Sequence, residues 1–170
     1  MMSSTTYRDE NGQYEFDFSS CSVCQYHSLA RKTTVLSDVD FVITAQDEVI
    51  FFEYKNAAVD GAVNPDAFQR KLNTEEFYRK TAKKFYSSLF LHWACRENET
   101  DLPIVYILLI EHPEVDARVR KMLRSRIYRQ LPVELQQEEA IKRKLLQKFE
   151  VLNLYEWQSS YPGFKTVAVS

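Results

Sequence analysis

SDVDFVITAQDEVIFFEYKNA, Ser37 to Ala57, is the stretch that decides the fold. Val, Ile and Phe dominate it and Gln46-Asp47 interrupts it, which predicts two antiparallel strands joined as a hairpin. The interruption is neither Asn-Gly nor Asp-Gly, so the loop is expected to be wider than two residues. A turn centred between Gln46 and Asp47 sets Asp40 opposite Glu53 and Asp38 opposite Lys55, with Cβ atoms about 4.5–5.5 Å apart. Period two then places Asp38, Asp40, Val42, Phe51, Glu53 and Lys55 on one face. Val39, Phe41, Ile43, Ile50, Phe52 and Tyr54 form the other face, which is read as core.

Three acids and a lysine thus gather at one end of an otherwise apolar strand pair. Opposed like charges destabilise a sheet, and a strand rich in Ile and Phe needs none of them to fold. A divalent cation relieves the repulsion. Mg²⁺ takes oxygen ligands and keeps several waters, so two or three carboxylates suffice. Such a metal activates water near neutral pH and stabilises charge on a phosphoryl oxygen. Lys55 is placed to orient or deprotonate that water, or to stabilise the developing negative charge. The same residues admit a plainer reading, an exposed sheet edge on which Asp38 and Lys55 form an ordinary ion pair worth about 0–1 kcal/mol.

Asp40, twelve intervening residues and then Glu53-Tyr54-Lys55 resembles the D…(D/E)xK signature of the PD-(D/E)xK phosphodiesterase superfamily. That superfamily includes restriction endonucleases, junction resolvases and repair nucleases. The resemblance covers roughly Ser37 to His112. It implies that Asp40 and Glu53 hold Mg²⁺ or Mn²⁺, with the Tyr54 carbonyl as a further ligand, and that Lys55 serves catalysis; Asp38, on the same strand face, is expected to tune Lys55 or add a ligand. The resemblance also implies a nucleic-acid substrate, with DNA expected, and allows a homodimer or a larger complex. The alternative is a catalytically silent module of the same fold that binds nucleic acid or a protein. Gln69 is followed by Asn73 where one branch of the superfamily has tyrosine, so no branch is assigned.

Outward from the hairpin, Tyr14, Phe16 and Phe18 alternate with polar residues as a short half-buried strand. Residues 19–34 are poorly periodic and read as a loop or a short helix. Asn64-Pro65-Asp66 starts a helix running to about Cys95. Its apolar stripe holds Phe68, Leu72, Phe77, Phe85, Leu89 and Trp93. Arg70, Lys71, Arg79, Lys80, Lys83 and Lys84 form a basic face that reads either as a nucleic-acid contact or as an ordinary solvated surface. Tyr78 and Tyr86 lie among these bases and read either as stacking platforms for nucleotides or as partly buried core. PIVYILLIEH, Pro103 to His112, is nearly continuous in apolar residues and predicts a strand buried on both faces. A basic helix begins near Pro113, a second helix spans Pro132 to about Lys148, Phe149–Trp157 is a strand, and Phe164–Val169 a last strand after the Pro162-Gly163 turn.

The expected fold is therefore α/β: a single-domain mixed β-sheet flanked by helices with a restriction-endonuclease-like core, spanning residues 13–170 behind a flexible segment 1–12. The strands on either side of the long helix should be parallel, because a helical crossover joins them.

A length of 170 residues suits one domain. The formal charge of -2 excludes an overall basic protein, so any nucleic-acid contact must come from local patches. No apolar run is long enough for a membrane helix, and the polar start is not a signal peptide. With no secretory leader, the three cysteines point to a reducing cytoplasm. Cys21-x-x-Cys24-x-x-His27 invites zinc but lacks a local fourth ligand, and idle thiols are the plainer reading. His92 reads as part of a helix face and His112 as a cap before Pro113.

Overall fold

Phe41 pairs with Phe52, Val42 with Phe51, Ile43 with Ile50 and Thr44 with Val49, the register expected from a turn centred on Gln46-Asp47. The loop is wider than two residues and closes through the Ala45 N–H to the Glu48 carbonyl at 2.9 Å. A computed structural model describes residues 6–9, 11–56 and 65–169. In chain order the elements are β1 (Thr6–Arg8), β2 (Tyr14–Asp17), β3 (Ser22–Cys24), α1 (His27–Ala30), β4 (Phe41–Thr44), β5 (Val49–Asn56), α2 (Pro65–Leu72), α3 (Glu75–Ala94), β6 (Ile104–Glu111), α4 (Ala117–Tyr128), β7 (Lys148–Leu152), α5 (Leu154–Ser160) and β8 (Lys165–Ala168).

The main sheet runs β3-β4-β5-β6-β7. Its first two pairings are antiparallel and its last two parallel. The β5–β6 pair is parallel as expected, because α2 and α3 carry the chain back across the sheet before β6 begins. β6 is an interior strand, buried from Ile104 to Ile110, so its apolar run serves two cores. On one face Phe51, Tyr106 and Phe149 meet Phe85 of α3 and Leu123 and Ile127 of α4. On the other, Ile43, Phe52 and Ile107 meet Phe16, Phe18, Trp157 and Phe164, brought by a small antiparallel sheet β1-β2-β8 and by α5. The molecule is a single α/β domain with a mixed sheet between helices.

Several expectations need correction. Both faces of the hairpin are core: Val42 and Phe51 are as buried as Phe52. Val39 lies with Val42 and Phe51, not with Phe41. The chain leaves the strand before Phe41, and the Val39 N–H donates to Ser88 Oγ of α3 at 2.9 Å. The long helix is two, broken at Asn73-Thr74, where the Thr74 hydroxyl accepts from the Phe77 N–H and caps α3. Asn64 in its expected start lies outside the described residues. Trp93 is 66% exposed, so it is not part of the buried stripe.

Between Pro132 and Gln147 no helix forms beyond a single 3-10 turn, Leu135–Gln137. The Gln136 side-chain carbonyl accepts from the N–H groups of Leu145 and Leu146, and this loop seats Leu131 and Leu146 in the core. The strand expected at Phe149–Trp157 ends at Leu152, because Asn153 and Glu156 form a capping box that starts α5. The segment expected to be flexible contains β1, paired to β2; Met1–Thr5 and Glu10 lie outside the described residues. Among the described residues, no helix is long and apolar enough to cross a membrane.

Candidate active site

Asp40 is the last residue before β4, and Glu53 sits in the C-terminal half of β5. One pair further along, antiparallel pairing has stopped, and the Asp40 carboxylate replaces the missing ladder bond: its Oδ2 accepts from the Tyr54 N–H at 2.7 Å. The side chain that the sequence placed opposite Glu53 is thus tied to the next residue of the same strand. Glu53 is 1% exposed. Its Oε1 lies 2.5 Å from Lys84 Nζ of α3 and 3.2 Å from Lys55 Nζ. Its Oε2 is buried without a hydrogen-bond partner.

Above these groups opens a cleft of about 530 Å³ lined by Asp40, Tyr54 and Lys55, with Lys71, Lys80, Lys83 and Lys84 from α2 and α3, and Arg8 and Asp9 at the end of β1. One wall is therefore basic and the buried edge is acidic.

The electrostatics follow from that layout. Burial, reinforced by the Glu53 charge, pushes the Asp40 carboxyl up to about 7, against the lowering effects of the Tyr54 N–H and the two lysines. Burial alone would lower Lys84, but the Glu53 charge and hydrogen bond outweigh it, so Lys84 is held above its ordinary value as a firm cation. Tyr106, beneath the site, is pushed well upward by burial and then by the charges of Glu53 and Asp40; its hydroxyl donates to the Thr81 carbonyl at 2.9 Å.

The donor chemistry fits a hard divalent cation. Asp40 has a carboxylate oxygen beyond the one bonded to Tyr54, Glu53 has an orphaned buried oxygen, and Tyr54 adds a carbonyl. Two carboxylates and a carbonyl, completed by water, are within the range Mg²⁺ accepts. The set is sparse: among the described residues no group of three or more His, Cys, Asp or Glu side chains is placed to hold a metal.

Asp38 does not face Lys55. It lies outside the strand, and its Oδ2 is 2.7 Å from His27 Nδ1. His27 is thereby turned to Asp38, and Cys21 and Cys24 are free thiols. Arg70 and Arg79 do not line the cleft, whereas Lys71, Lys80, Lys83 and Lys84 do. Tyr78 is buried, its hydroxyl on Asn73 Oδ1. Tyr86 is partly exposed and bonds the Gln130 carbonyl. His92 is not on an outer face: it is 2% exposed, with Nδ1 2.6 Å from the Tyr26 hydroxyl. His112 does act as a cap, its Nδ1 accepting from the Glu114 N–H.

The contact of Lys84 with Glu53 goes beyond what a basic helix face implies: Lys84 is seven residues from Phe77 and three from Thr81, both buried. Those spacings put it on the inward side of α3, and that was the available signal. Arg8 and Asp9 carried no such signal, because β1 is polar and short.

No protein-family model, curated protein or solved structure matches this chain.

Proposed function

We propose that the protein is a Mg²⁺- or Mn²⁺-dependent nuclease of the PD-(D/E)xK kind, acting on DNA. The observation that carries this reading is a fully buried glutamate on an apolar strand, beside a second carboxylate and two lysines that line a basic cleft above it.

In this reading Asp40, Glu53 and the Tyr54 carbonyl hold the metal. When bound, the metal supplies an activated water and stabilises negative charge at a phosphoryl oxygen. Lys55 lines the cleft beside Glu53, where its ammonium can orient the nucleophile or meet charge that develops on the phosphate. Lys71, Lys80 and Lys83 meet the phosphate backbone and release its counterions. The Tyr54 N–H fixes the Asp40 carboxylate.

One observation favours a second reading. Glu53 already has two cationic partners, so the charge cluster is largely compensated without a metal, as in a silent binding module. Cleavage of a panel of single-stranded, duplex and branched DNA and RNA in Mn²⁺ separates the two, with wild type beside Lys55→Ala. The nuclease reading expects cleavage of at least one DNA by wild type, falling 100-fold or more in the variant. Absence of cleavage by wild type on every substrate supports the module.

A further inference from the structure

Lys84 Nζ sits 2.5 Å from Glu53 Oε1, closer than Lys55 at 3.2 Å, and comes from α3 rather than from the strand that carries the other site residues. Its side chain is mostly buried at this contact and also lines the cleft. Glu53 therefore has one oxygen occupied by ammonium groups and one with no partner. We propose that Lys84 is a tethered counter-ion that occupies Glu53 in the metal-free protein, and that a divalent cation binds by displacing it into the cleft. This rests on the metal-site reading above and adds a device that sets the site's metal affinity.

The physical argument is competition for one carboxylate. A glutamate buried as deeply as Glu53 is not tolerated without a positive partner, so Lys84 holds the apo site together. A divalent cation centred on Glu53 and Asp40 brings more positive charge to the same place. Lys84 and the metal then repel each other across a partly dry space, where like charges interact strongly. Lysine suits this role because its ammonium is a point charge on a flexible stem. The ammonium can leave Glu53 and remain tethered over the cleft, where Lys71, Lys80 and Lys83 also stand. Metal loading would thereby deliver one more cation to the face that meets a polyanion.

The test is a calorimetric titration of Mn²⁺ alone into the intact wild-type chain, Lys84→Met and Asp40→Asn. The inference expects Lys84→Met to bind Mn²⁺ at least tenfold more tightly than wild type, and Asp40→Asn to bind little or none. Equal or weaker binding by Lys84→Met, with measurable wild-type binding, overturns the counter-ion role and leaves the metal site standing. Absence of binding by both wild type and Lys84→Met overturns the metal site and this inference together. Should Lys84→Met not fold, lysine acylation of folded wild type, read by mass spectrometry, decides the matter. Labelling of Lys84 should rise at least threefold when Mn²⁺ is added; no change at a Mn²⁺ concentration that saturates the protein overturns the inference.

Discussion

Asp40 is half-buried at the cleft and His92 fully buried, and the two titratable groups pull stability in opposite directions with pH. Asp40, with its carboxyl pushed from an ordinary 3.8 up to about 7 by burial and Glu53, binds its proton more tightly in the folded state. Its contribution is full below about pH 4 and is lost as pH rises to about 7. Asp40→Asn should therefore be more stable than wild type at pH 8, by about 1–2 kcal/mol once discounted for solvent in the cleft, and nearly equal to it at pH 4. Chemical denaturation at the two pH values checks this. Millimolar Mg²⁺ should narrow or reverse the gap, because only wild type gains binding energy on folding.

His92 is lowered from 6.5 to about 4 by burial, so it stays neutral in the folded state while the unfolded chain takes up a proton. Its contribution is present above about pH 6.5 and is lost as pH falls toward 4. A His92→Gln chain should show a shallower loss of stability than wild type over that interval, measured by thermal melts at half-unit steps. At the same scale, the strand position of Glu53 was legible from period two, but its contact with Lys84 of α3 was not.

At the scale of elements, caps decide where helices begin more sharply than apolar periodicity does. Thr74 divides what reads as one long amphipathic run, and Asn153 converts the end of an expected strand into α5. The Asn153 side chain accepts from the Glu156 N–H at 2.8 Å, and Glu156 returns a bond to the Asn153 N–H at 3.0 Å. Glu156 also holds Arg120 of α4 at 2.9 Å, so this cap ties α5 to the helix layer. Asn153→Ala should cost about 1 kcal/mol, read as a shift in urea midpoint with an unchanged slope. A loss below a few tenths would mean that α5 is held by Trp157 alone. The segment from Pro132 to Gln147 teaches the reverse lesson. Its composition suits a helix, but Gln136 serves the Leu145 and Leu146 N–H groups with a side-chain acceptor, a contact that no local pattern announces.

At the scale of the whole molecule, a net charge of -2 conceals a cleft whose α2–α3 wall is lined by lysines. Binding of a duplex in Ca²⁺, which limits turnover, should weaken with salt. Lys71→Ala and Lys83→Ala should each reduce the log–log salt slope by about 0.9, while Arg79→Ala, outside the cleft, should leave it unchanged. Equal slopes for all three would place the polyanion elsewhere.

The α/β order around the hairpin, its register, the parallel β5–β6 pair and the doubly buried β6 were determined by the sequence itself. Each rests on a local signal: strand periodicity, a polar break, or an apolar run long enough to demand cover on both faces. The neighbourhood of Asp40, Glu53 and Lys55 was legible for the same reason, since pairing one residue pair determines the rest of an antiparallel ladder. Only the tertiary structure decided that the ladder stops at Phe41, sending Asp38 to His27 and leaving Asp40 to bond Tyr54. Tertiary packing also brought Lys84 onto Glu53 and β1 to the rim of the cleft. The Lys84–Glu53 contact joins residues 31 positions apart, and such geometry depends on how helices and sheets stack. Stacking is set by the summed shape of two cores, a property that no single stretch of the chain contains.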